Sequence, residues 1–305
     1  MKRSLIAAAM GLALVAAPAT AQNPAQELTG TLKKIKELGS ITIGHRDSSI
    51  PFSYYDDKQQ VIGYAMDLCY RIVDAVKDEL KLPDLKVVLN PVTSATRIPL
   101  MANGTIDLEC GSTTNNLERQ KQVGFTITHF VTANRFISKK ASNLKTLDDL
   151  KGKTIVSTSG TANIKQINQI NAERNLGMTI LAAKDHAEGF LMVETDRAAA
   201  FVMDDILLYG LAANSKAPDD YVISADALSV EPYGIMVRRD DPQFKAVVDK
   251  AMIDTYKSGA IEAIYKKWFE APIPPRNVTL NVPLTEVFAK VIANPTDSGD
   301  PAVYK

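Results

Sequence analysis

Five ionisable side chains follow the ends of predicted strands in this sequence. They are Arg46, Arg97, Arg119, His186 and Asp204. A guanidinium group forms paired, charge-assisted hydrogen bonds with a carboxylate, and a fixed carboxylate can hold a cation. Open α/β sheets hold ligands where their strands end. The set therefore predicts a ligand that carries two carboxylates and one ammonium.

Small polar residues accompany these charges. Ser94 stands three residues before Arg97 at the start of a predicted helix, so both side chains can face one point. The predicted strand 105–110 breaks at Gly111 and a helix resumes at Leu117. Such a break exposes hydroxyls and unpaired N–H groups, which favour an anion.

A second turn of this kind, Ser-Thr-Ser-Gly-Thr at 157–161, ends one strand and opens a helix. Neutral hydrogen bonds that fix a ligand's orientation would come from the hydroxyls of four residues: Ser94, Ser112, Thr114 and Thr161. Glutamate and aspartate fit this donor set. For each stretch the alternative is an ordinary capped turn with a solvated or ion-paired arginine.

The elements that position these residues alternate between strand and helix, which predicts an α/β fold with two lobes. We expect strands at 40–44, 86–89, 105–110, 125–137, 153–156, 178–183, 198–203 and 231–239. The run 125–137 is long enough to cross between lobes, and 231–239 would return the chain. From Ala271 onward the sequence is proline-rich and is expected to pack as an outer strap.

The first residues have the pattern of a secretory signal peptide. Met-Lys-Arg precedes an apolar core at 5–17 and small residues that end at Ala21, where we expect cleavage. Removal of Lys2 and Arg3 leaves 33 basic side chains of 35 against 35 acidic ones, a net charge of −2. This balance argues against nucleic acid as a partner. In an oxidising compartment Cys69 and Cys110 would form either a disulfide or two buried thiols.

Many short motifs, in order and over nearly the whole exported chain, resemble the periplasmic glutamate/aspartate-binding proteins of ABC uptake systems, in solute-binding protein family 3. Among them are Ile-Gly-His-Arg at 43–46, Glu-Cys-Gly-Ser-Thr-Thr-Asn-Asn at 109–116, Thr-Ser-Gly-Thr at 158–161, Met-Asp-Asp at 203–205 and Lys-Trp-Phe at 267–269. The resemblance implies a hinged protein that captures L-glutamate or L-aspartate by closure and delivers it to a permease in the inner membrane.

The fold implied by the resemblance is the two-lobe, type II periplasmic-binding-protein fold. Each lobe would have a central mixed sheet flanked by helices, and two strands would form the hinge. Lobe 1 is expected at 22–131 and 230–305, lobe 2 at 132–229, and the signal peptide at 1–21. We expect a periplasmic monomer that has no cofactor and no metal.

The resemblance also assigns a role to each candidate residue. Arg119 and Thr114 would hold the α-carboxylate, helped by the turn at Thr161 and the backbone N–H of Ala162. The α-ammonium is assigned to Ser112 and Asp204. The side-chain carboxylate is assigned to four residues: Arg46, Ser94, Arg97 and His186.

The chain departs from the family pattern at two positions. Ala162 stands where the relatives have a second threonine, so any contact there must use the backbone. Ile235 replaces a cysteine that pairs, in the relatives, with the residue matching Cys110. The resemblance therefore leaves Cys69 as the partner of Cys110.

Two other functions remain open from the sequence. A broader binding protein would also accept glutamine and asparagine, although two arginines match a neutral amide poorly. An enzyme could use His186 with Asp204 or Asp205 as an acid/base pair. Against an enzyme, the turn at 157–161 is not a Gly-x-Ser-x-Gly elbow, and no metal-binding or Walker A motif is present. As an imidazolium, His186 would make acidic ligands bind more weakly above neutral pH.

Overall fold

A computed structural model describes residues 27–305. The expected signal peptide at 1–21 and its cleavage site lie outside the described residues. Within 27–305 none of the helices combines the length and the apolar character that crossing a membrane requires.

The first sheet has five strands and is mixed. Its order across the sheet is Lys86–Pro91, Ser40–His45, Leu108–Cys110, Met236–Val237 and Gly124–Phe125. The first three strands are parallel, and Met236–Val237 runs antiparallel to both of its neighbours. Because the strands Ser40–His45 and Leu108–Cys110 are parallel, the segments that follow them, which include Arg46 and Gly111, leave the sheet at the same edge.

The second sheet has six strands and is also mixed. Three of them are parallel: Thr179–Ala183, Thr154–Thr158 and Ala200–Asp204. The ten-residue strand Phe130–Lys139 runs antiparallel to Ala200–Asp204 and also pairs with Tyr221–Ile223 and Ser229–Tyr233. His186 and Asp204 follow or end parallel strands, and they therefore lie at the same edge of this sheet.

Helices pack against both sheets, and the described residues also form a third, small sheet of three short strands. These strands are Ser48–Ser49, Ser53–Tyr55 and Val61–Ile62. The α-helices are Gly30–Leu38, Tyr64–Leu80, Arg97–Ala102, Leu117–Gln120, Ala162–Glu173, His186–Glu194, Asp205–Ala213, Pro242–Lys257, Ala260–Tyr265 and Glu286–Ala293. Short 3-10 turns occupy Lys140–Ser142, Leu147–Leu150, Pro218–Asp220 and Pro301–Tyr304, and Lys266–Glu270 is a π-helical turn.

The chain crosses between the sheets twice, at 126–129 and at 234–235, and the crossings lie side by side. The N–H of Thr126 donates to the oxygen of Ile235 at 2.9 Å, and the N–H of Ile235 donates to Oγ1 of Thr126 at 3.1 Å. The sequence predicted one continuous strand at each place, 125–137 and 231–239. Both are interrupted because each half pairs with a different sheet.

Aromatic side chains fill the core beneath the crossings. Phe52 contacts Phe130, Tyr233 and Phe269 edge to face, with ring centroids 5.1–5.8 Å apart. Each of these four residues is at least 96% buried, so the chain segments next to the crossings are anchored in a packed aromatic core. Nearby, a disulfide joins Cys69 of the helix Tyr64–Leu80 to Cys110 of the first sheet.

Candidate functional site

Eight of the ten residues expected from the sequence line one narrow cleft between the two sheets. Loops of the first sheet contribute Arg97, Ser112, Thr114 and Arg119, and loops of the second contribute Thr161, Ala162, His186 and Asp204. Asn163, Met203 and Leu207, which the sequence analysis did not select, complete the lining. The charges identified from the sequence therefore converge.

Arg46 and Ser94 lie behind this lining. Both are buried, and Nη2 of Arg46 donates to Oγ of Ser94 at 2.9 Å. Burial, followed by repulsion from Arg97, lowers the pKa of Arg46 to about 10, so the group stays charged at neutral pH. Arg46 therefore adds a second buried positive charge close to that of Arg97.

Arg97 begins a short helix and is held by a residue that the sequence analysis overlooked. Its Nη1 donates to Oγ1 of Thr113 and lies 3.8 Å from Oε1 of Glu109. Glu109 is fully buried in the strand Leu108–Cys110. Alternation along a three-residue strand is too short a signal to reveal an inward-facing acid.

Arg119 lies on the helix Leu117–Gln120, whose first residue follows the capping residue Asn116. Oδ1 of Asn116 accepts from the N–H of Arg119 at 2.9 Å. The guanidinium donates to the main-chain oxygens of Thr114 at 2.8 Å and Gly160 at 3.3 Å. Burial, followed by repulsion from Arg97, lowers the pKa of Arg119 to about 9, which still leaves it protonated at neutral pH.

Thr161 caps the helix Ala162–Glu173. Its Oγ1 accepts from the N–H of Ile164 at 3.2 Å and donates to the oxygen of Thr158 at 2.6 Å. The hydroxyl is therefore engaged within the turn. Since the first N–H groups of a helix have no intrahelical acceptor, the N–H of Ala162, which lines the cleft, is available to an anion.

His186 is the first residue of the helix His186–Glu194 and is buried. Its Nδ1 lies 2.9 Å from Oγ1 of Thr158, and its Nε2 has no hydrogen-bond partner among residues 27–305. Burial, followed by Arg46 and Arg97, lowers the pKa of His186 well below its ordinary value. Without a ligand the ring is therefore neutral at neutral pH, and the imidazolium expected from the sequence, which a ligand carboxylate would stabilise, stays a prediction. The direction of the hydrogen bond between Thr158 and Nδ1 depends on the ring tautomer: if the hydroxyl donates, the ring proton is on Nε2, which can then donate to a ligand.

Asp204 ends the strand Ala200–Asp204 on the opposite side of the space. It accepts hydrogen bonds from Nδ2 of Asn163, at 2.7 Å, and from the hydroxyl of Tyr233. Burial, followed by the nearby Glu231, raises the pKa of Asp204 to about 7. The sequence signal for Asn163 is its place next to the Thr161 turn, whereas no local pattern points to Tyr233.

The buried charges of the site differ from those expected from the sequence. The sequence pointed to a single acid, Asp204, opposite the cationic side chains. Three buried guanidinium groups, of Arg46, Arg97 and Arg119, share the region with three buried carboxylates, of Glu109, Asp204 and Glu231. Within the described chain several buried polar atoms of the site have no partner: Arg46 Nη1, Arg97 Nε, Ser112 Oγ, His186 Nε2 and Glu109 Oε1. Most of these atoms are donors, so the site is suited to an acceptor such as a carboxylate.

No group of three or more His, Cys, Asp or Glu residues within 27–305 is arranged to hold a metal ion.

Comparison with known proteins gives one family. The model for the bacterial extracellular solute-binding proteins, family 3, matches residues 41–271. The L-glutamate/L-aspartate-binding protein of Pseudomonas aeruginosa is 55% identical over 96% of this chain and 96% of its own length. The glutamate/aspartate import solute-binding protein of Escherichia coli is 47% identical over 95% of this chain and 96% of its own length.

Among solved structures, an ancestral arginine-binding protein bound to arginine superimposes with a TM-score of 0.69. It is 26% identical and covers 76% of this chain and 98% of its own length. The last residues of the chain, after 271, lie beyond the family match.

Proposed function

Because this chain belongs to the bacterial extracellular solute-binding proteins of family 3, with the two-lobe type II fold, we propose that it captures L-glutamate and L-aspartate for an ABC importer. One observation carries the proposal. Arginines from the first sheet and Asp204 from the second border the same enclosed space. Two carboxylates and one ammonium complement that arrangement, as they do in both amino acids.

Each part of the ligand has a complementary group. Arg119, Thr114 and the N–H of Ala162 bind the α-carboxylate, which also lies near the start of the helix Ala162–Glu173. Asp204 and Ser112 bind the α-ammonium. Arg46, Ser94 and Arg97 bind the side-chain carboxylate, and His186 donates to it from Nε2 as a neutral ring.

The ligand is enclosed by a hinge motion. The strands Phe130–Lys139 and Ser229–Tyr233 belong to the second sheet. Lobe 2 therefore comprises 130–233, and lobe 1 comprises 27–125 and 236–305 of the described residues, a few residues from the boundaries expected from the sequence. The paired crossings at 126–129 and 234–235 supply the hinge. The side-by-side hydrogen bonds between Thr126 and Ile235 support this assignment, because two short parallel connections allow rotation about one axis.

The protein works in the periplasm, after removal of residues 1–21, and passes its ligand to a permease of the inner membrane. The Escherichia coli relative, which is an import solute-binding protein and is matched over nearly its whole length, supports this partner. It acts as a monomer and without nucleic acid.

A broader specificity that includes glutamine and asparagine is the alternative. A neutral amide would leave the charge of Arg46 and Arg97 partly uncompensated in a buried site, which costs binding free energy. An enzyme on this scaffold is the lesser alternative. The named relatives of high identity are binding proteins, and Nδ1 of His186 and both carboxylate oxygens of Asp204 already have hydrogen-bond partners within the protein.

Isothermal titration tests the function directly. The protein is unfolded and refolded to remove carried-over ligand, then titrated with L-glutamate, L-aspartate, L-glutamine and L-asparagine. We expect tight binding of both acids and at least a ~100-fold loss for the amides, which is about 2.7 kcal/mol. Equal binding of acids and amides would establish the broader specificity, and binding of none would overturn the proposal. Mass analysis after incubation with the acids would detect turnover.

A further inference from the structure

Glu109 is a fully buried acid next to the site, and the roles proposed so far do not include it. It lies in the middle of the strand Leu108–Cys110, paired in register with Gly44. Its Oε1 lies 3.8 Å from Nη1 of Arg97. A Cβ atom added at Gly111 would lie 2.4 Å from Oε1 of Glu109 and 2.9 Å from Cγ of Arg46. The carboxylate therefore lies under the Gly111 turn, between the two arginines assigned to the side-chain carboxylate.

A hydroxyl connects Glu109 to Arg97. Oγ1 of Thr113 donates to Oε2 of Glu109 at 2.5 Å and accepts from Nη1 of Arg97. A threonine hydroxyl has one hydrogen to donate, and an ionised carboxylate can only accept. Glu109 therefore fixes the direction of the hydroxyl and leaves its lone pairs facing Arg97. We call this chain of two hydrogen bonds, from Arg97 through Thr113 to Glu109, the Arg97 relay.

The relay determines which part of the guanidinium is free. Nη1 donates to Oγ1 of Thr113 and, at 3.4 Å, to the main-chain oxygen of Ser112, whereas Nε has no partner among the described residues. The negative charge of Glu109 also offsets the repulsion between Arg46 and Arg97, two buried cations in one small volume. Both effects hold Arg97 in a single orientation, as bidentate recognition of a carboxylate requires.

We propose that Glu109 is a positioning residue that determines specificity. Through Thr113 it orients Arg97 toward the ligand's side-chain carboxylate, so that the site binds acids more tightly than amides. This inference rests on the proposed function. A purely structural acid would stabilise the strand and affect all ligands alike. The relay instead affects the ligands that use Arg97 most.

Two isosteric changes test the relay. Glu109→Gln removes the charge and lets the amide donate or accept, so the direction of the Thr113 hydroxyl is no longer fixed. Thr113→Val removes the hydroxyl and keeps the shape. We expect each variant to weaken L-glutamate binding at least ~10-fold, because Arg97 loses its fixed orientation. The affinity for L-glutamine, measured by competition against L-glutamate, should change less than ~3-fold. These factors are of the size found for positioning contacts.

The double variant decides whether the two residues act together. In one relay, Glu109→Gln with Thr113→Val weakens L-glutamate binding no more than the stronger single change. Additive losses would overturn the relay, as would equal losses for L-glutamate and L-glutamine. If L-glutamine does not displace L-glutamate at all, the comparison of the single variants with the double variant decides alone whether the relay exists. Glu118→Gln, an exposed acid on the same segment, is the matched control.

Thermal melting of each ligand-free variant separates folding from positioning. A variant that melts well below the unmodified protein is set aside and the other single change is used. Failure of the unmodified protein to bind either acid would refute the proposed function. Normal selectivity in Glu109→Gln would refute the relay and leave the proposed function intact.

Discussion

Nη2 of Arg119 donates to the main-chain oxygen of Gly160 at 3.3 Å, and this hydrogen bond joins the loops of the two sheets beside the site. The same glycine lies against the backbone of Ser94 and Ala95. The residue proposed to hold the α-carboxylate thus also contacts the opposite lobe. On the proposed function, this arginine would couple ligand binding to closure, because both would use its guanidinium.

Arg119→Lys should weaken L-glutamate binding at least ~100-fold. A lysine ammonium is a point charge and does not reproduce the planar pair of donors that Arg119 offers to a carboxylate and to Gly160. Titration calorimetry measures the loss. Arg174→Lys, which changes an exposed ion pair in the second lobe, should bind normally and serves as control. A loss below ~3-fold in Arg119→Lys would contradict the assignment.

Gly160→Ala should impair closure. A Cβ atom there would lie 2.5 Å from Cα of Ala95, and the residue has a φ of +76°, which L side chains rarely adopt. Gly152→Ala is a matched control, because Gly152 has a φ of +71° and no atom within 4 Å of its added Cβ. Small-angle scattering with saturating L-glutamate should show a larger radius of gyration for Gly160→Ala than for Gly152→Ala. Equal radii would show that the lobes close without this contact.

The sequence located the polar turns because each combines small polar residues with a strand end or a helix start. The turn after Cys110 and the turn at 157–161 both have this pattern, and both line the site. Strand ends at one edge of a sheet must converge, so these residues could be predicted without coordinates.

Glu109 and Tyr233 could not be predicted in this way. Glu109 lies within a three-residue strand, and its burial follows from pairing with Gly44 and from the arginines that reach it from other segments. Tyr233 meets Asp204 because the crossings bring two distant segments together. Such contacts depend on tertiary packing, which periodicity along one segment does not encode.

Ligand affinity should fall as the pH drops below neutral. The pKa of Asp204, raised to about 7 mainly by burial, decreases when a ligand ammonium stabilises its carboxylate. Binding then requires loss of a proton below that pKa, so affinity is complete above about pH 8 and roughly tenfold lower at about pH 6. This is opposite to the trend expected from a charged His186. Calorimetric titrations between these two pH values, on the unmodified protein and on His186→Gln, distinguish control by Asp204 from control by a charged His186. A loss of affinity on raising the pH would contradict the Asp204 assignment.

The disulfide should contribute to stability more than to binding. It closes a loop between residues 41 positions apart, and chain entropy alone predicts about 4 kcal/mol for a loop of this length. Cys69→Ser with Cys110→Ser should therefore unfold at lower denaturant concentration. Urea unfolding with and without dithiothreitol gives the measurement, and the unmodified protein in reductant should match the double variant. Identical midpoints would contradict a closed bridge.

The end of the chain should contribute to ligand affinity although it lies outside the site. The main-chain oxygen of Asp297 accepts from the side chains of Asn115 and Gln120, at 2.8 and 2.9 Å, on either side of Arg119. The oxygen of Thr296 accepts from the N–H of Thr128 in the first crossing at 2.7 Å. These bonds tie the end of the chain to the helix that bears Arg119 and to the first crossing between the sheets.

Deletion of 295–305 should therefore weaken L-glutamate binding by roughly tenfold, the effect of about 1.4 kcal/mol, because Arg119 loses the support of its helix. Calorimetry measures the affinity, and circular dichroism checks that the shortened chain is folded. Val303→Ala changes an exposed side chain of the same segment and should bind normally. Unchanged affinity in a folded, shortened chain would mean that the bonds from Asn115 and Gln120 to Asp297 do not position Arg119.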